Sequence, residues 1–384
     1  MGNGSGMRIL ALNAGSRSHK AQLFELDGDA PPLEPPRTAW EAADESAAGS
    51  FAKLLERYQG EPPDAVAHRF VHPGPELAEQ IAFRVDAAAR ALIERSDLAP
   101  AHNPLALEGL RAASQRFDAA EQIGISDVAL GADAPAVATT YPLPSAWRER
   151  FGVRRYGFHG ISHRDVLARN AQLCGSDDPA RRIVSVHLGS GCSVIAARGR
   201  VILDSTMGMT PMDGVMMGSR SGSIDPGIIF TLLRRGALGP DELERALSKE
   251  SGLAGVSGVS ADTREISQAL RAGNERARFA LDLYGYILRK AIGAMSAVLG
   301  GIDVLSFTGP VGEHVASIRR DACAAFAYLG IAIDDERNER LAAEGSIGAD
   351  VSIEADASRV RVHVIRTLEE WAMVRSAATL LATV

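Results

Sequence analysis

The sequence predicts an α/β protein of two duplicated domains, and three observations carry that prediction. The chain has 384 residues, too many for one ordinary core, and at roughly 150 residues per domain this favours two or three domains. A strand, a small hydroxyl-rich tip and a second strand occur near the start, as Arg8–Leu12, Asn13–Ser18 and Ala21–Leu26. The same arrangement recurs in the second half, as Ile183–Leu188, Gly189-Ser190-Gly191 and Cys192–Ala197. Between such strands lie segments with helical spacing of apolar residues, which is the alternation expected of α/β architecture.

Taken in order, the Arg8–Leu26 hairpin is followed by a Pro/Asp-rich loop over Gly28–Pro36, then a helix over Ser50–Tyr58. Ala65–Ala67 reads as a strand leading into His68-Arg69-Phe70-Val71-His72, and Ala87–Glu94 as a helix. Leu98–Pro104 is a loop entering another helix, and Ile125–Leu130 reads as a strand that runs into Gly131-Ala132-Asp133. Two prolines in Tyr141-Pro-Leu-Pro144 break regular structure and place the domain boundary there. Ile183–Leu203 is a three-strand meander. Asn274–Leu299 carries Phe279, Leu283, Tyr286, Ile287 and Met295 at helical spacing, suited to core packing, and Gly300-Gly301 caps it. Ile302–Phe307 is a strand, Thr308–Glu313 a glycine loop, and a helix begins at His314.

Composition excludes several classes. Hydrophobic residues at 46% and charged residues at 23% are globular values, which rules out global disorder. A net charge of −7 argues against a nucleic-acid or anionic-membrane binder. Cys174, Cys192 and Cys323 stand far apart without a CxxC pair, so neither a disulfide framework nor a cysteine zinc site is expected, and a reducing cytoplasm suits the chain. No apolar run approaches the roughly 20 residues that span a bilayer. Residues 1–6 are small and polar, lack a signal-peptide core, and read as a leader ahead of the first strand.

The two tips carry the chemistry. Each is rich in free backbone N–H groups, and two such tips facing a cleft would hold a polyphosphate. Either tip alone is read more simply as a turn; it is the pair, with Lys20 just past the first, that favours phosphate. No GxxxxGK[ST] or GxGxxG loop is present. His159 and His163 are four apart, but Gly160 between them disfavours helix and no HExxH glutamate accompanies them, so zinc is not expected. Arg220 lies among Gly218, Ser219, Ser221 and Gly222 after an uncharged apolar stretch, where a planar guanidinium can approach phosphoryl or carboxylate oxygens.

These residues together resemble the acetate kinase family, within the sugar kinase/Hsp70/actin superfamily. The resemblance rests on Asn13-x-Gly-Ser-x-Ser-x-Lys20, His68-Arg69-x-Val-His72, Ala99-Pro-x-His102-Asn-Pro104, Arg155-Tyr-Gly-Phe-His159-Gly-x-Ser-His163 and His187-Leu-Gly-x-Gly191. Met207-Gly-x-Thr-Pro211, Met217-Gly-x-Arg220-Ser-Gly-x-Ile-Asp-Pro226, Gly300-Gly-Ile-Asp303 and Glu369-Glu370 continue it in order to the C-terminus. It implies two duplicated actin/Hsp70-like (ribonuclease H-like) domains with an interdomain nucleotide cleft. The N-terminal lobe would be 7–142, completed by a helix over about 370–384, and the C-terminal lobe 143–369. The implied activity is reversible phosphoryl transfer from ATP to acetate or another short carboxylate, with Mg²⁺ (or Mn²⁺), in a cytoplasmic homodimer without nucleic-acid or membrane partners.

Residue by residue, the resemblance assigns the metal to Asn13 and Glu369, and catalysis to Asp133, His159 and Arg220. The carboxylate falls to Arg69, Val71, Ala101, His102, Phe158 and Pro211. ATP falls to Lys20, to His187, Leu188, Gly189, Ser190 and Gly191, to Asp262, Thr263 and Arg264, and to Gly309, Pro310, Val311, Gly312, Glu313 and His314.

Several positions depart from the family pattern. The family's Phe-Asp-Thr-Ala-Phe-His-x-Thr-Met-Pro is replaced by Gly131–Thr140, which leaves Asp133 as the candidate aspartate. Ser190 replaces an asparagine, Arg17 and His19 stand near the first tip, and Pro310 removes an N–H beside the adenosine, which opens pyrophosphate as an alternative donor. Ala101 stands where leucine is usual, and the added room suits propionate or butyrate at about 0.8 kcal/mol per buried methylene. A catalytically impaired nucleotide-binding paralogue is the alternative reading from another class.

Overall fold

The computed structural model describes residues 6–15, 19–28, 31–44, 50–100, 102–343 and 348–383, without the side chains of 342 and 343. Two compact units make up the chain: Met1–Ala132 with His159–Asp165 and Leu368–Val384, and Asp133–Phe158 with Val166–Thr367.

The first unit is built on six strands: β1 (Met7–Ala14), β2 (His19–Leu26), β3 (Trp40–Asp44), β4 (Ala65–Phe70), β5 (Ala82–Arg84) and β6 (Glu121–Ser126). Their order is β3-β2-β1-β4-β6-β5. β1, β2 and β3 form an antiparallel meander, β1, β4 and β6 run parallel, and β5 closes the edge antiparallel. The central strand is apolar on both faces because both are covered. Ile9 and Ala11 pack with Phe24 against Trp371, Met373 and Val374 of the helix Glu369–Ala382. Leu10 and Leu12 pack with Leu23 against Phe51, Leu54 and Ala113 on the other side.

The second unit repeats the plan with β7 (Arg182–Leu188), β8 (Cys192–Arg198), β9 (Val201–Ser205), β10 (Val304–Thr308), β11 (Val351–Ser352) and β12 (Arg361–Val364). Read from the β9 edge, the order is β9-β8-β7-β10-β12-β11, the same path strand for strand. The β1–β2 and β7–β8 tips therefore occupy the same place in each sheet, so the duplication read from the two hairpins is a property of whole sheets.

Four local expectations need correction. β6 ends at Ser126, so Asp127–Leu130 is not strand. Gly309–His314 is a short helix, not a loop, with Pro310 in its first turn, where a missing N–H costs nothing. Gly160 does not break a helix but begins one, Gly160–Leu173, and a Cβ there would run into the Val128 carbonyl. In the long helix Glu275–Leu299 the buried stripe is Ala277, Ala280, Tyr284, Leu288, Ile292 and Met295, whereas Phe279 and Tyr286 are 62% and 54% exposed.

Two buried histidines give the fold an acid limit. His68 on β4, 1% exposed, meets the Gln122 side-chain oxygen at 2.8 Å, and His363 on β12, 0% exposed, meets Asn170 Oδ1 at 2.7 Å. Burial pushes both down to about 4. Between that value and the usual 6.5 the unfolded chain binds more protons, so stability is full above about pH 6.5 and falls as pH drops towards 4, by roughly 3 kcal/mol per histidine. Urea midpoints should fall between about pH 7 and about pH 4.5, and His68→Gln should flatten that slope; an unchanged slope contradicts this account.

Candidate active site

In the first unit the site residues sit at the C-terminal ends of the parallel strands, the usual place for function in such sheets. Asn13 closes β1, Arg69 lies near the end of β4, and Asp127 follows β6 directly. Arg69 donates through Nε and Nη2 to Asp127 Oδ2 at 3.2 and 2.6 Å, and through Nη1 to Asn13 Oδ1 at 3.3 Å. The Asn13 amide nitrogen donates in turn to Glu369 at 3.1 Å and Glu370 at 3.0 Å. These glutamates open the helix Glu369–Ala382, where the backbone dipole favours negative charge. Lys20, paired with Asn13 across the hairpin, is half-exposed with Nζ 3.7 Å from Glu370.

Burial works against the Arg69 charge, but Asp127 and Glu369 outweigh it and hold the guanidinium above its ordinary range, so it remains a fixed cation. Asp127 does a second job. Its carbonyl accepts the Gly160 N–H at 2.8 Å and its carboxylate the Ile161 N–H at 3.2 Å, pinning the start of the helix that follows His159. Arg164 clamps the same turn by donating to the carbonyls of Val128 and Ser126 at 2.9 and 2.7 Å. His159 has φ of +59°, the only positive value at a non-glycine among the described residues, a strained backbone of the kind kept at functional positions.

Val71 is buried, and His102 is the half-buried N-cap of the helix Asn103–Arg116. Ala101 lies outside the described residues. Asp133 is exposed and begins the second unit. Reading a strand through Leu130 hid Asp127 inside it, and the available signal was an aspartate just past an apolar run, in line with Arg69.

In the second unit His187, Leu188, Gly189, Ser190 and Gly191 form the β7–β8 tip, closed by a 3.0 Å bond from the Gly189 N–H to the Gly191 carbonyl. His187 and Leu188 are buried and Ser190 is exposed. Beside this tip starts the helix Gly309–His314, where glycine is required twice over: Gly309 has φ +81°, and a Cβ there would strike the Leu188 backbone. Glu313 spends one carboxylate oxygen on the Thr367 hydroxyl and N–H, at 2.5 and 2.9 Å, so it latches the strand exit to this helix. Asp262 is the N-cap of the helix Thr263–Arg271, accepting from the Arg264 N–H at 2.8 Å and pairing with its exposed guanidinium at 2.6 Å.

Arg220 is half-buried, and its Nη1 donates to the Pro211 carbonyl at 2.8 Å. The turn carrying it is held from beneath: Met217, Gly218 and Ser219 carbonyls accept from the Leu253, Ala254 and Ser251 N–H groups at 2.9, 2.9 and 3.0 Å. Phe158 is buried at 1% exposure.

Glu369 and Glu370 bring two carboxylates together at the Asn13 amide, whose nitrogen faces them while its oxygen accepts from Arg69. The two carboxylates suit Mg²⁺, which prefers a few protein oxygens and fills its shell from water and substrate phosphates; the Asn13 oxygen would join them once its amide turned away from Arg69.

The acetokinase family profile matches residues 37–375. An acetate kinase of Cyanothece sp. (strain PCC 7425 / ATCC 29141) is 40% identical, with 98% of this chain and 99% of that protein covered. A solved acetate kinase from Porphyromonas gingivalis is 35% identical with a TM-score of 0.84, covering 98% of this chain and 100% of that one. A propionate kinase from Francisella tularensis is 28% identical with a TM-score of 0.80, covering 96% and 98%. With a profile spanning nearly its whole length and relatives aligned end to end, the chain belongs to the acetokinase family.

Proposed function

We propose that this kinase transfers the γ-phosphoryl group of ATP reversibly to acetate, giving acetyl phosphate and ADP. The carboxylate oxygen forms the new bond to phosphorus as the bond to the ADP oxygen breaks. The observation that supports it best is the Asn13–Arg69–Asp127–Glu369 cluster, in which a fixed cation and metal-type oxygens adjoin at strand ends.

A carboxylate is already a nucleophile at neutral pH, so no strong general base is required; what the reaction needs is tolerance of charge. Arg69 binds the carboxylate and Asp127, in place of Asp133, fixes its orientation. Arg220 and His159 meet the charge that spreads over the transferring oxygens. Lys20 and the His187–Gly191 tip take the ATP phosphates. Asp262, Thr263, Arg264 and the Gly309–His314 segment flank the adenosine, with Glu313 acting through Thr367. Asn13 and Glu369 would hold Mg²⁺ (or Mn²⁺), which supplies charge neutralisation at the phosphates when bound. The acyl group is assigned to Val71, Ala101, His102, Phe158 and Pro211 as the positions that match the family's motifs.

Exposed Ile228, Phe230, Phe279 and Tyr286 suit the interface of a homodimer. A cytoplasmic setting suits the unpaired cysteines.

Trapping the acyl phosphate with hydroxylamine, using Mg-ATP and acetate, propionate or butyrate, tests the reading. Acetate should give product, with propionate within about tenfold in kcat/KM because one extra methylene is worth about 0.8 kcal/mol either way. No product from any of the three contradicts the function, and a sharper fall at propionate contradicts the roomy pocket.

A further inference from the structure

The turn that carries Arg220 is held from beneath by backbone bonds, and the stretch leading into it is tied to the rest of its unit through the Tyr141 hydroxyl. Tyr141 donates to Asp213 Oδ2 at 3.3 Å and accepts from the Met209 N–H at 3.0 Å. Asp213 uses its other oxygen to accept from the Ser223 hydroxyl at 2.5 Å and the Gly214 N–H at 2.8 Å. The two ends of the loop therefore meet at Asp213, with Arg220 between them. Arg155 completes the cluster: its guanidinium lies 5.5 Å from the Tyr141 ring centroid, its Nη1 is 3.6 Å from Asp213, and it donates to the Ser205 carbonyl. Gly208, next to Met209, accepts from the Tyr156 and Gly157 N–H groups at 3.0 and 3.1 Å, and a Cβ there would strike the Tyr141 oxygen.

Pro211, whose carbonyl receives the Arg220 guanidinium at 2.8 Å, lies in the chain between Met209 and Asp213, the two residues Tyr141 holds. Shifting those two shifts the acceptor that aims Arg220. Burial raises the Tyr141 hydroxyl above its usual 10, so the proton it gives Asp213 is present throughout the neutral range.

We propose that Tyr141 is a positioning residue that fixes the Met209–Asp213 stretch and thereby aims Arg220 at the transferring phosphoryl group. This rests on the role given to Arg220 above. A residue acting by aim affects the rate of transfer more than the binding of either substrate, since a misplacement of about 1 Å can cost on the order of 10²-fold in rate.

Tyr141→Phe removes the hydroxyl and keeps the ring under Arg155. The variant should lower kcat by about tenfold, leave KM for ATP within about twofold, and speed hydrogen exchange at the Met209 amide. Asp213→Asn should show the same split between kcat and KM. An unchanged kcat in Tyr141→Phe, or a kcat and KM that worsen together with a lowered Tm and unchanged Met209 exchange, overturns the proposal. If Arg220→Ala has collapsed kcat while Tyr141→Phe has not, only this proposal fails; if Arg220→Ala itself keeps its kcat, the role of Arg220 fails and Tyr141 with it.

Discussion

Asp127→Ala should lower kcat at saturating substrates by about 10²-fold or more, while Asp133→Ala changes it by less than about twofold. Asp127 is 2% exposed and holds the Arg69 guanidinium at 2.6 Å, whereas Asp133 is exposed and begins the other unit. Without Asp127, Arg69 keeps its charge but loses the partner that sets its plane, and the Glu369 side competes for it. Breaking a buried pair from one side costs about 3–5 kcal/mol, so a lowered Tm should accompany the loss. Asp127→Asn separates the causes: its amide oxygen can still accept the Ile161 N–H, so the turn survives while the charge does not. Steady-state ADP release with acetate would show Asp127→Asn nearly as slow as Asp127→Ala. A fast Asp127→Asn would move the role of Asp127 from charge to shape, and a slow Asp133→Ala would restore the aspartate named from sequence.

The hairpins were legible because they are local: an apolar run, a small polar tip and a second run set their own register, and β1–β2 and β7–β8 follow it. So was the long helix, whose N-cap Asn274 accepts from the Arg276 and Ala277 N–H groups and whose Gly300 ends it at φ +69°. Short edge strands were not legible. Ala82–Arg84 and Val351–Ser352 are three and two residues long, and they are strands only because β6 and β12 offer partners. Asp127 was missed for a related reason: Val128, Ala129 and Leu130 are buried by packing rather than by pairing, and in sequence the two look alike. Phe279 and Tyr286 share a helical stripe that faces out, because periodicity fixes a stripe and not which stripe meets the core. Glu370, beside the recognised Glu369, carries as much of the Asn13 contact, which no spacing rule could apportion.

Arg220→Ala should lower kcat by about 10²–10³-fold and leave KM for ATP within a few-fold, because a donor aimed at charge that develops only in transfer contributes little to the ground state. The guanidinium is not a loose surface group: it is held by the Pro211 carbonyl on a turn fixed through Leu253, Ala254 and Ser251. Its cost in rearrangement is therefore met by the fold before substrate arrives, which is what makes such a group effective in phosphoryl transfer. Arg220→Lys keeps the charge but not the planar fork, and should recover only part of the loss.

The most direct measurement pairs two numbers for Arg220→Ala: the single-turnover rate of acetyl phosphate formation and the dissociation constant for Mg-ATP. Stabilisation of the phosphoryl group in flight predicts a rate at least about 10²-fold below that of the unaltered protein, with the dissociation constant changed by less than about threefold. A rate that stays intact, or an ATP affinity that falls as far as the rate, would contradict it.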